Sequence, residues 1–237
     1  MVLPDEADIQ AGLVGMGVAA DARSVRMLLR HARLMLEENE RQNLTRLTSP
    51  NDVLVRHILD SATALPFVEA APRGAVADLG SGAGYPGVVI SVLGARHVVL
   101  VESERRKASF LSTVVADLEI DAEVSASRAE EVAIERASSF AVVVARAVAP
   151  LASLVELASP LLVGGGRLIA LKGASVADEV AAGDAAGRLC GMVRVECVRV
   201  DVPGSDREHM ILVYERRGLS RERLPRRPGA AQRHPLA

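Results

Sequence analysis

The sequence predicts an α/β fold, a doubly wound and mostly parallel sheet with a helical cap before it and an antiparallel hairpin at its end. From residue 75 onward, short apolar runs alternate with helix-like segments, which is typical of a parallel sheet flanked by helices. The residues before that point show helix-like patterns without strand-like runs. After the last predicted helix, residues 193–202 and 209–215 are β-rich, and a Pro-Gly-Ser-Asp sequence between them is typical of a hairpin loop.

Three helical segments are predicted in the N-terminal cap, residues 1–70. Residues 7–18 are weakly amphipathic, and Asp21 caps a stronger helix that reaches about Glu40, with apolar residues at intervals near 3.6. Ser49, followed by proline and then an acid two positions later, is typical of a helix start. We expect that third helix to continue to Pro66.

The alternating part of the chain, residues 71–217, is predicted to form the main domain. Its predicted strands are 75–79, 97–102, 122–126, 140–146 and 167–172, and its predicted helices are 86–93, 104–118, 129–136, 150–162 and 175–188. Residues 218–237 are predicted to be a basic tail without fixed structure. From Arg216 to the end there are seven arginines and one acid, so the tail could contact RNA phosphates or simply be solvated.

Composition narrows the class of protein. The formal net charge is −2, which excludes a uniformly basic nucleic-acid binder. No apolar run approaches the roughly 20 residues of a membrane span, and the N-terminus lacks the basic region of a secretory signal. The two cysteines, Cys190 and Cys197, have neither metal-ligand spacing nor a disulfide framework around them. We therefore expect a cytoplasmic protein with no metal site and no membrane association.

A glycine-rich turn follows the first predicted strand. Gly80, Gly82 and Gly84 come directly after an apolar run, and Asp78 lies just before them. Dinucleotide sites use the register G-x-G-x-x-G and place a pyrophosphate at the helix N-terminus. Here the third glycine is one position early, which favours a ligand with an amino-acid end and an adenosine end but no pyrophosphate. S-adenosylmethionine fits that description.

Residues after the second and third strands extend the predicted nucleoside site. Glu102 ends the second strand, about 20 residues past the turn, where Rossmann-type sites bind ribose hydroxyls. The alternative is that Glu102 only caps the next helix. The loop at residues 127–131 follows the third strand, and a backbone N–H and a carboxylate in it could contact the adenine edge.

Two basic residues stand at the ends of apolar strands. Arg146 ends the run that starts at Val142, and Lys172 ends the next strand. Arginine is rarely buried unless it is paired. On adjacent strands the two side chains would face one cleft, which indicates an anionic or carbonyl-bearing partner; the alternative is that both reach solvent.

Taken together, these motifs resemble the bacterial 16S ribosomal RNA guanine-N7 methyltransferase G family, also called glucose-inhibited division protein B. The resemblance spans nearly the whole chain. Its matching segments are residues 43–45, 57–61, 78–87, 101–103, 128–131, 146–148 and 171–173. The chain departs from the family in Tyr85, where phenylalanine or leucine is usual, and in the arginine-rich tail, which lies outside the shared region.

The resemblance implies a Rossmann-like class I S-adenosylmethionine-dependent methyltransferase sheet of seven strands. It implies methyl transfer to N7 of one guanine in 16S ribosomal RNA, with the small ribosomal subunit or its precursor as partner and a monomeric enzyme. Family cofactor contacts map onto Gly80, Tyr85, Ala129, Glu130 and Arg146. Guanine N7 carries a lone pair and no proton, so the reaction needs no general base. Arg146 or Lys172 is then expected to bind O6 or a neighbouring phosphate and leave N7 free.

Three alternatives remain open from the sequence. A NAD-dependent oxidoreductase would share the glycine turn and Glu102, but the register differs and no acid for hydride transfer is evident. An RNA-binding factor with a vestigial pocket would not need the intact turn together with Glu102 and Arg146. A methyltransferase for another RNA or a small molecule could use the same fold, because fold does not determine substrate.

Overall fold

A single seven-stranded sheet organises the protein. The structure is a computed structural model and describes residues 3–94 and 96–237. The strand order is β3-β2-β1-β4-β5-β7-β6, with β7 antiparallel to both of its neighbours and the first five strands parallel. The strands are β1 (Val76–Leu79), β2 (Val98–Val101), β3 (Ala122–Ser125), β4 (Phe140–Arg146), β5 (Leu162–Gly173), β6 (Met192–Val200) and β7 (His209–Arg216).

Helices cover both faces of the sheet. They are α1 (Glu6–Gly15), α2 (Ala22–Asn39), a π-helical segment (Asp52–Leu59) continued by α3 (Asp60–Ala62), α4 (Leu65–Glu69), α5 (Gly87–Leu93), α6 (Arg105–Leu118), α7 (Ala129–Glu135), α8 (Leu151–Ala158), a 3₁₀ turn (Ala174–Glu179), α9 (Val180–Cys190) and α10 (Ala230–Arg233). No helix in the described part of the chain is both long and apolar enough to span a membrane.

The topology confirms the predicted parallel sheet with a C-terminal antiparallel hairpin. Two mirrored mononucleotide-binding halves would give the order 3-2-1-4-5-6. Here the hairpin places β7 between β5 and β6. The strand order reverses between β1 and β4, and ligands of open α/β sheets bind at such a point, beyond the carboxyl ends of the strands.

Successive residues of each central strand pack on opposite faces of the sheet. In β4, Val142 and Val144 join the core formed with α1, α2 and the π-helical segment. Val143 and Ala145 join the core formed with α7, α8 and α9. The N-terminal helices therefore share one continuous core with the sheet, which holds them in place beside the carboxyl edge.

The third predicted helix has a different local structure. Ser49 caps it as expected, since its hydroxyl accepts from the Asp52 N–H at 3.1 Å. Residues Asp52–Leu59 are π-helical, however, and Pro66 lies in the first turn of α4 rather than at a helix end. Proline is tolerated there because the first-turn N–H groups have no partner within the helix. π-Helical segments occur frequently at functional sites.

The tail also differs from the sequence prediction, which gave residues 218–237 no fixed structure. Ala231 of α10 is buried against α8, and Arg226 pairs through two nitrogens with the buried carboxylate of Glu156. The apolar anchors, Leu224, Ala231 and Leu236, are too far apart in the sequence to form a helical or strand pattern. Composition alone therefore indicated disorder where a few widely spaced contacts hold the segment.

Candidate active site

The glycine-rich turn joins β1 to α5 at the carboxyl edge of the sheet. Gly80 N–H donates to the Val101 carbonyl of β2 at 2.8 Å, which fixes the start of the turn. Gly80 has φ +68°, and a Cβ there would lie 2.6 Å from Val148 Cγ2. Both its conformation and its close approach to the loop after β4 therefore require glycine.

Asp78 lies beneath this turn and is fully buried. Its Oδ2 accepts from the Gly87 N–H at 3.0 Å, and its Oδ1 has no partner among the described residues. Burial raises the pKa of this carboxyl to about 6, partly opposed by hydrogen bonds from the turn. Asp78 thus holds the turn from below, and its predicted contact with the cofactor stays a prediction.

Glu102, at the end of β2, connects the turn to the next helix. One carboxylate oxygen accepts from the Gly82 N–H at 3.0 Å, and the other accepts from the Glu104 N–H at 2.8 Å. Glu102 therefore holds the backbone of Glu104, directly before the first residue of α6. Each carboxylate oxygen can still accept a second hydrogen bond, so a ribose contact by Glu102 remains a prediction.

A cavity of about 500 Å³ opens above the turn, between the sheet edge and the π-helical segment. We call it the mouth. Arg146 and Lys172 both line it, as the sequence predicted for basic residues on adjacent strands. Its other lining residues include Leu44, Thr45, Leu47, Arg56, His57, Asp60, Gly80, Ser81, Gly82, Tyr85, Arg207 and His209.

Residues of the N-terminal cap, and not of its own strand β4, hold the Arg146 side chain. Its Nη1 donates to Asp60 Oδ2 at 2.9 Å and to the Arg56 carbonyl, while its Nη2 lies 3.4 Å from His57 Nδ1. The Arg146 and Asp60 side chains are only 18% and 14% exposed. Burial acts to raise the Asp60 pKa, but the hydrogen bond from His209 and the charge of Arg146 hold it below its ordinary value. At neutral pH the pair is therefore ionised and carries no net charge.

Tyr85 forms the floor of the mouth. Its ring is stacked between His31 and His57, with centroid separations of 4.5 and 4.6 Å. The Arg146 guanidinium lies 5.6 Å from the same ring centroid, within range of a cation–π contact. Burial raises the Tyr85 pKa, so the phenol stays neutral. The aromatic ring fixes the shape of the floor.

Both stacked histidines are neutral. Burial lowers the pKa of fully buried His31 to about 4, and burial together with the Arg146 charge lowers that of His57 to about 4. Each ring contacts a backbone carbonyl through Nε2, His31 with Ala83 at 2.8 Å and His57 with Leu47 at 3.0 Å. They therefore pack and orient the floor without adding charge.

Asp60 also ties the hairpin to the mouth. Its Oδ1 accepts from His209 Nδ1 at 2.8 Å, and His209 Nε2 lies 2.7 Å from the Ser205 hydroxyl. These hydrogen bonds link α3 to the start of β7 and to the β6–β7 loop, and Asp60 and His209 are 149 positions apart in the sequence. They also hold Arg207, which is exposed, at the rim of the mouth.

Lys172 is paired on its own side of the mouth. Its Nζ donates to Glu179 Oε2 at 2.8 Å and to the Ala149 carbonyl at 2.9 Å. Glu179 also accepts from the Leu151 N–H at the start of α8. Lys172 thus ties β5 to the 3₁₀ turn and to α8, and it is less available to a substrate than the sequence suggested.

A second, narrower cavity of about 70 Å³ lies on the other side of Gly80. We call it the nucleoside end. Ala129 and Glu130 at the start of α7 line it, together with Val101 and Val148. Gly80 lines both cavities. The glycine-rich turn therefore lies between the larger mouth and the smaller nucleoside end.

Sequence reasoning assigned no role to Asp60, Arg207 or His209. Asp60 lies in a quoted motif, but its partner Arg146 is 86 positions away, and nothing local indicates that pairing. The one usable signal was the expected burial of Arg146, which requires a carboxylate somewhere in the fold.

Comparisons with known proteins agree with this architecture. The family model described as "GidB: rRNA small subunit methyltransferase G" matches residues 24–210. The ribosomal RNA small subunit methyltransferase G of Carboxydothermus hydrogenoformans is 32% identical over 235 residues, which cover 98% of this chain and 100% of that protein. The protein of the same name from Symbiobacterium thermophilum is 35% identical over 238 residues, 96% of each chain.

A solved structure with a similar fold is a mutant of MtNAS in complex with S-adenosylmethionine. Its TM-score is 0.54 at 18% identity, and the match covers 90% of this chain and 78% of that chain. At that identity the likeness shows the fold alone. The family match shows more than the fold, because the matched residues span most of the sequence, including the turn and the end of β4. The chain belongs to the rRNA small subunit methyltransferase G family.

Proposed function

We propose that this chain transfers the methyl group of S-adenosylmethionine to N7 of a guanine in the RNA of the small ribosomal subunit. The observation that carries the proposal is the two-part cleft, in which one glycine-rich turn joins the mouth to the nucleoside end. Relatives that match nearly the whole chain are named as small-subunit rRNA methyltransferases.

The residues of the cleft fit S-adenosylmethionine, which supplies an electrophilic methyl group on a positively charged sulfur. Gly80, Gly82 and Gly84 leave the backbone bare where the cofactor would lie across the turn. Glu102 would accept from the ribose, while Ala129 and Glu130 would contact adenine. Asp78 would hold the turn, with its unpartnered Oδ1 as the remaining acceptor. Tyr85 and Arg146 would bound the methionine end.

Paired charges in the mouth suit a cationic cofactor. An unpaired arginine near the sulfonium would raise the energy of the bound state through like-charge repulsion. Asp60 offsets the Arg146 charge at 2.9 Å, so the mouth can accept a positive sulfur and then the positive charge that develops on the guanine. Removing Asp60 would therefore affect the reaction even though Asp60 transfers no proton.

Because the reaction depends on positioning, no histidine in the cleft has to be free to accept a proton. Guanine N7 has no proton to lose, so a general base is unnecessary. His57 and His209 line the mouth and His31 lies buried behind Tyr85, and each of the three has a ring nitrogen in contact with a protein acceptor. The rate then depends on holding N7 in line with the methyl–sulfur bond, an entropic contribution of roughly 7–11 kcal/mol at most.

RNA contact is assigned to the rim of the mouth. Arg146 and Lys172 are tied to Asp60 and Glu179, whereas Arg207 is exposed and its nearest carboxylate oxygen, on Asp206, is 4.0 Å away. Arg207 can therefore meet a phosphate, while Arg146 stays within reach of the guanine O6. We further propose that the enzyme acts as a monomer in the cytoplasm.

Base mapping tests this function. Small ribosomal subunits from a strain that lacks the enzyme are incubated with the protein and tritiated S-adenosylmethionine, then reduced and cleaved with aniline at N7-methylguanine. We expect cleavage at one guanine of the 16S RNA, with large subunits unlabelled as the control. Label at another atom, or on the large subunit, would contradict the proposal.

A calorimetric comparison of S-adenosylhomocysteine with NAD separates the methyltransferase from an oxidoreductase. We expect binding of the first and none of the second, because a pyrophosphate would meet Glu102 beside Gly82. Tighter binding of NAD would contradict the proposed cofactor.

A further inference from the structure

The C-terminal segment, residues 218–237, lies beyond the residues 24–210 that the family model matches. Specific contacts dock it on the sheet domain. Arg226 donates to both oxygens of Glu156 in α8, at 2.7 and 2.5 Å, and to the His234 carbonyl at 2.7 Å. Ser153 Oγ of α8 donates to the Ala231 carbonyl at 2.8 Å. Glu156 is 3% exposed, so without Arg226 it would be a buried and unpaired charge. The segment is therefore part of the fold.

This docking brings the segment to the nucleoside end. The Gly229 N–H, just before α10, donates to Glu130 Oε1 at 2.7 Å. Glu130 is 4% exposed, and its other carboxylate oxygen remains without a contact to the segment. Gln232, one turn further on, lines the same cavity as Ala129, Glu130 and Gly80. Gln232, which lies outside the matched range of 24–210, thus contributes to the wall of this cavity.

We propose that Gln232 is a further cofactor-binding residue, which contacts the adenine of S-adenosylmethionine, and that α10 forms the outer wall of the nucleoside end. This inference rests on the proposed function. A glutamine carboxamide offers a donor and an acceptor side by side, and adenine presents the complementary pair in its amino group and a ring nitrogen. Val101, Val148 and Leu157 line the same cavity with apolar side chains, and its polar lining residues are Ser103, Ser127, Arg128 and Glu130. None of these four carries a carboxamide, and Glu130 already accepts from the Gly229 N–H.

The size of the cavity adds a kinetic consequence. Its volume of about 70 Å³ is small beside the roughly 300–1,000 Å³ of complete ligand sites, so we expect α10 to move outward when the nucleoside enters. The short length of α10 and the exposure of Gln232 permit such a shift. Closure of α10 over the base would then slow release of the ligand.

Calorimetric titration with S-adenosylhomocysteine tests the proposal on the full chain. We expect Gln232→Ala to weaken binding by roughly fivefold, the loss of one or two hydrogen bonds. The same factor should appear with 5′-methylthioadenosine, which keeps the adenosine end and lacks the amino acid. Arg233→Ala is the matched control, because Arg233 is the exposed neighbour and contacts only the Pro228 carbonyl; it should change binding less than twofold.

Removal of residues 229–237 gives the second readout. The shortened variant keeps the Arg226–Glu156 pair, and its melting curve shows whether the domain remains folded. We expect this variant to bind on the order of tenfold more weakly, with faster association and faster release. Unchanged binding in Gln232→Ala would show that its side chain does not contact the adenine, and tighter binding after removal would show that the segment obstructs the site. Either result would overturn the proposal. Absence of binding by the unaltered chain would overturn the proposed function as well.

Discussion

The mouth and the nucleoside end of the cleft are built in different ways. The mouth is walled by charged side chains from distant parts of the chain, held in the Arg146–Asp60 and Lys172–Glu179 pairs. The nucleoside end is lined by the backbone of the turn, by apolar side chains and by a few polar residues, among them Glu130 and Gln232, and no ion pair is formed between its lining residues in the described part of the chain. The cofactor is the same in every reaction, so backbone groups can bind its nucleoside end. At the reacting end, charged side chains have to be held in defined positions. Substitutions should therefore divide into those that abolish cofactor binding and those that only slow transfer.

The largest effect is expected at the turn that joins the two parts. Gly80→Ala combines φ +68° with a Cβ 2.6 Å from Val148, so we expect S-adenosylhomocysteine affinity to fall on the order of 1,000-fold. Gly17→Ala is the control, because Gly17 has φ +72° but nothing within 4 Å of an added Cβ. If both variants bound the ligand equally well by calorimetry, the turn would not be part of the cofactor site.

Acid should destabilise the mouth through its buried histidines. His31 has a folded-state pKa of about 4 and an ordinary value of 6.5, so the unfolded chain takes up the proton first as the pH falls. Its stabilising contribution is complete above pH 6.5 and is lost towards pH 4, by about 3 kcal/mol. Asp78 acts in the opposite direction over the overlapping range, because its folded-state pKa is raised to about 6.

Urea unfolding at several pH values isolates the His31 contribution. His31→Asn should be less stable than the unaltered chain at neutral pH, and the gap should narrow by about 3 kcal/mol at pH 4. His97→Asn is the control, because the His97 side chain is 41% exposed whereas His31 is fully buried. A constant gap across the range would show that His31 is not held neutral by burial.

Arg146→Lys tests the reacting end alone. Lysine cannot span Asp60, the Arg56 carbonyl and His57 at once, so the single-turnover rate with small subunits should fall about 100-fold. Affinity for S-adenosylhomocysteine should change only a few-fold, because the nucleoside end is untouched. Arg167→Lys, in the Arg167–Glu215 pair outside the cleft, should leave the rate unchanged. Equal losses of rate and affinity would remove the distinction between the two parts.

The smallest effect is expected at the rim. Arg207→Ala should weaken small-subunit binding about threefold at moderate salt and lower the salt dependence by about one phosphate contact. Arg199→Ala is the matched control, since Arg199 is equally exposed on the same hairpin but pairs with Glu208 at 2.8 Å. Identical salt slopes in filter binding for both variants would exclude an RNA contact at Arg207.

Sequence alone predicted the glycine-rich turn and the basic residues at the strand ends, but not the ion pairs that hold those residues in the mouth. The strand–turn–helix pattern around Gly80 is local, and parallel strands bring their ends together by topology, so Arg146 and Lys172 could be placed at one edge. The role of Asp60 could not be predicted, because Asp60 is brought to Arg146, 86 positions away, only by the packing of the N-terminal helices on the sheet. Arg226 escaped notice because its partner is likewise distant in the sequence, although Glu156 within the otherwise apolar α8 signalled that a basic partner had to exist.

A crystal structure of the protein with S-adenosylhomocysteine tests the central claim most directly. We expect the ligand to lie across Gly80, with its adenine beside Ala129, Glu130 and Gln232 and its sulfur facing the mouth beneath Arg146. A ligand bound elsewhere, or with its adenine in the mouth, would contradict this account of the cleft.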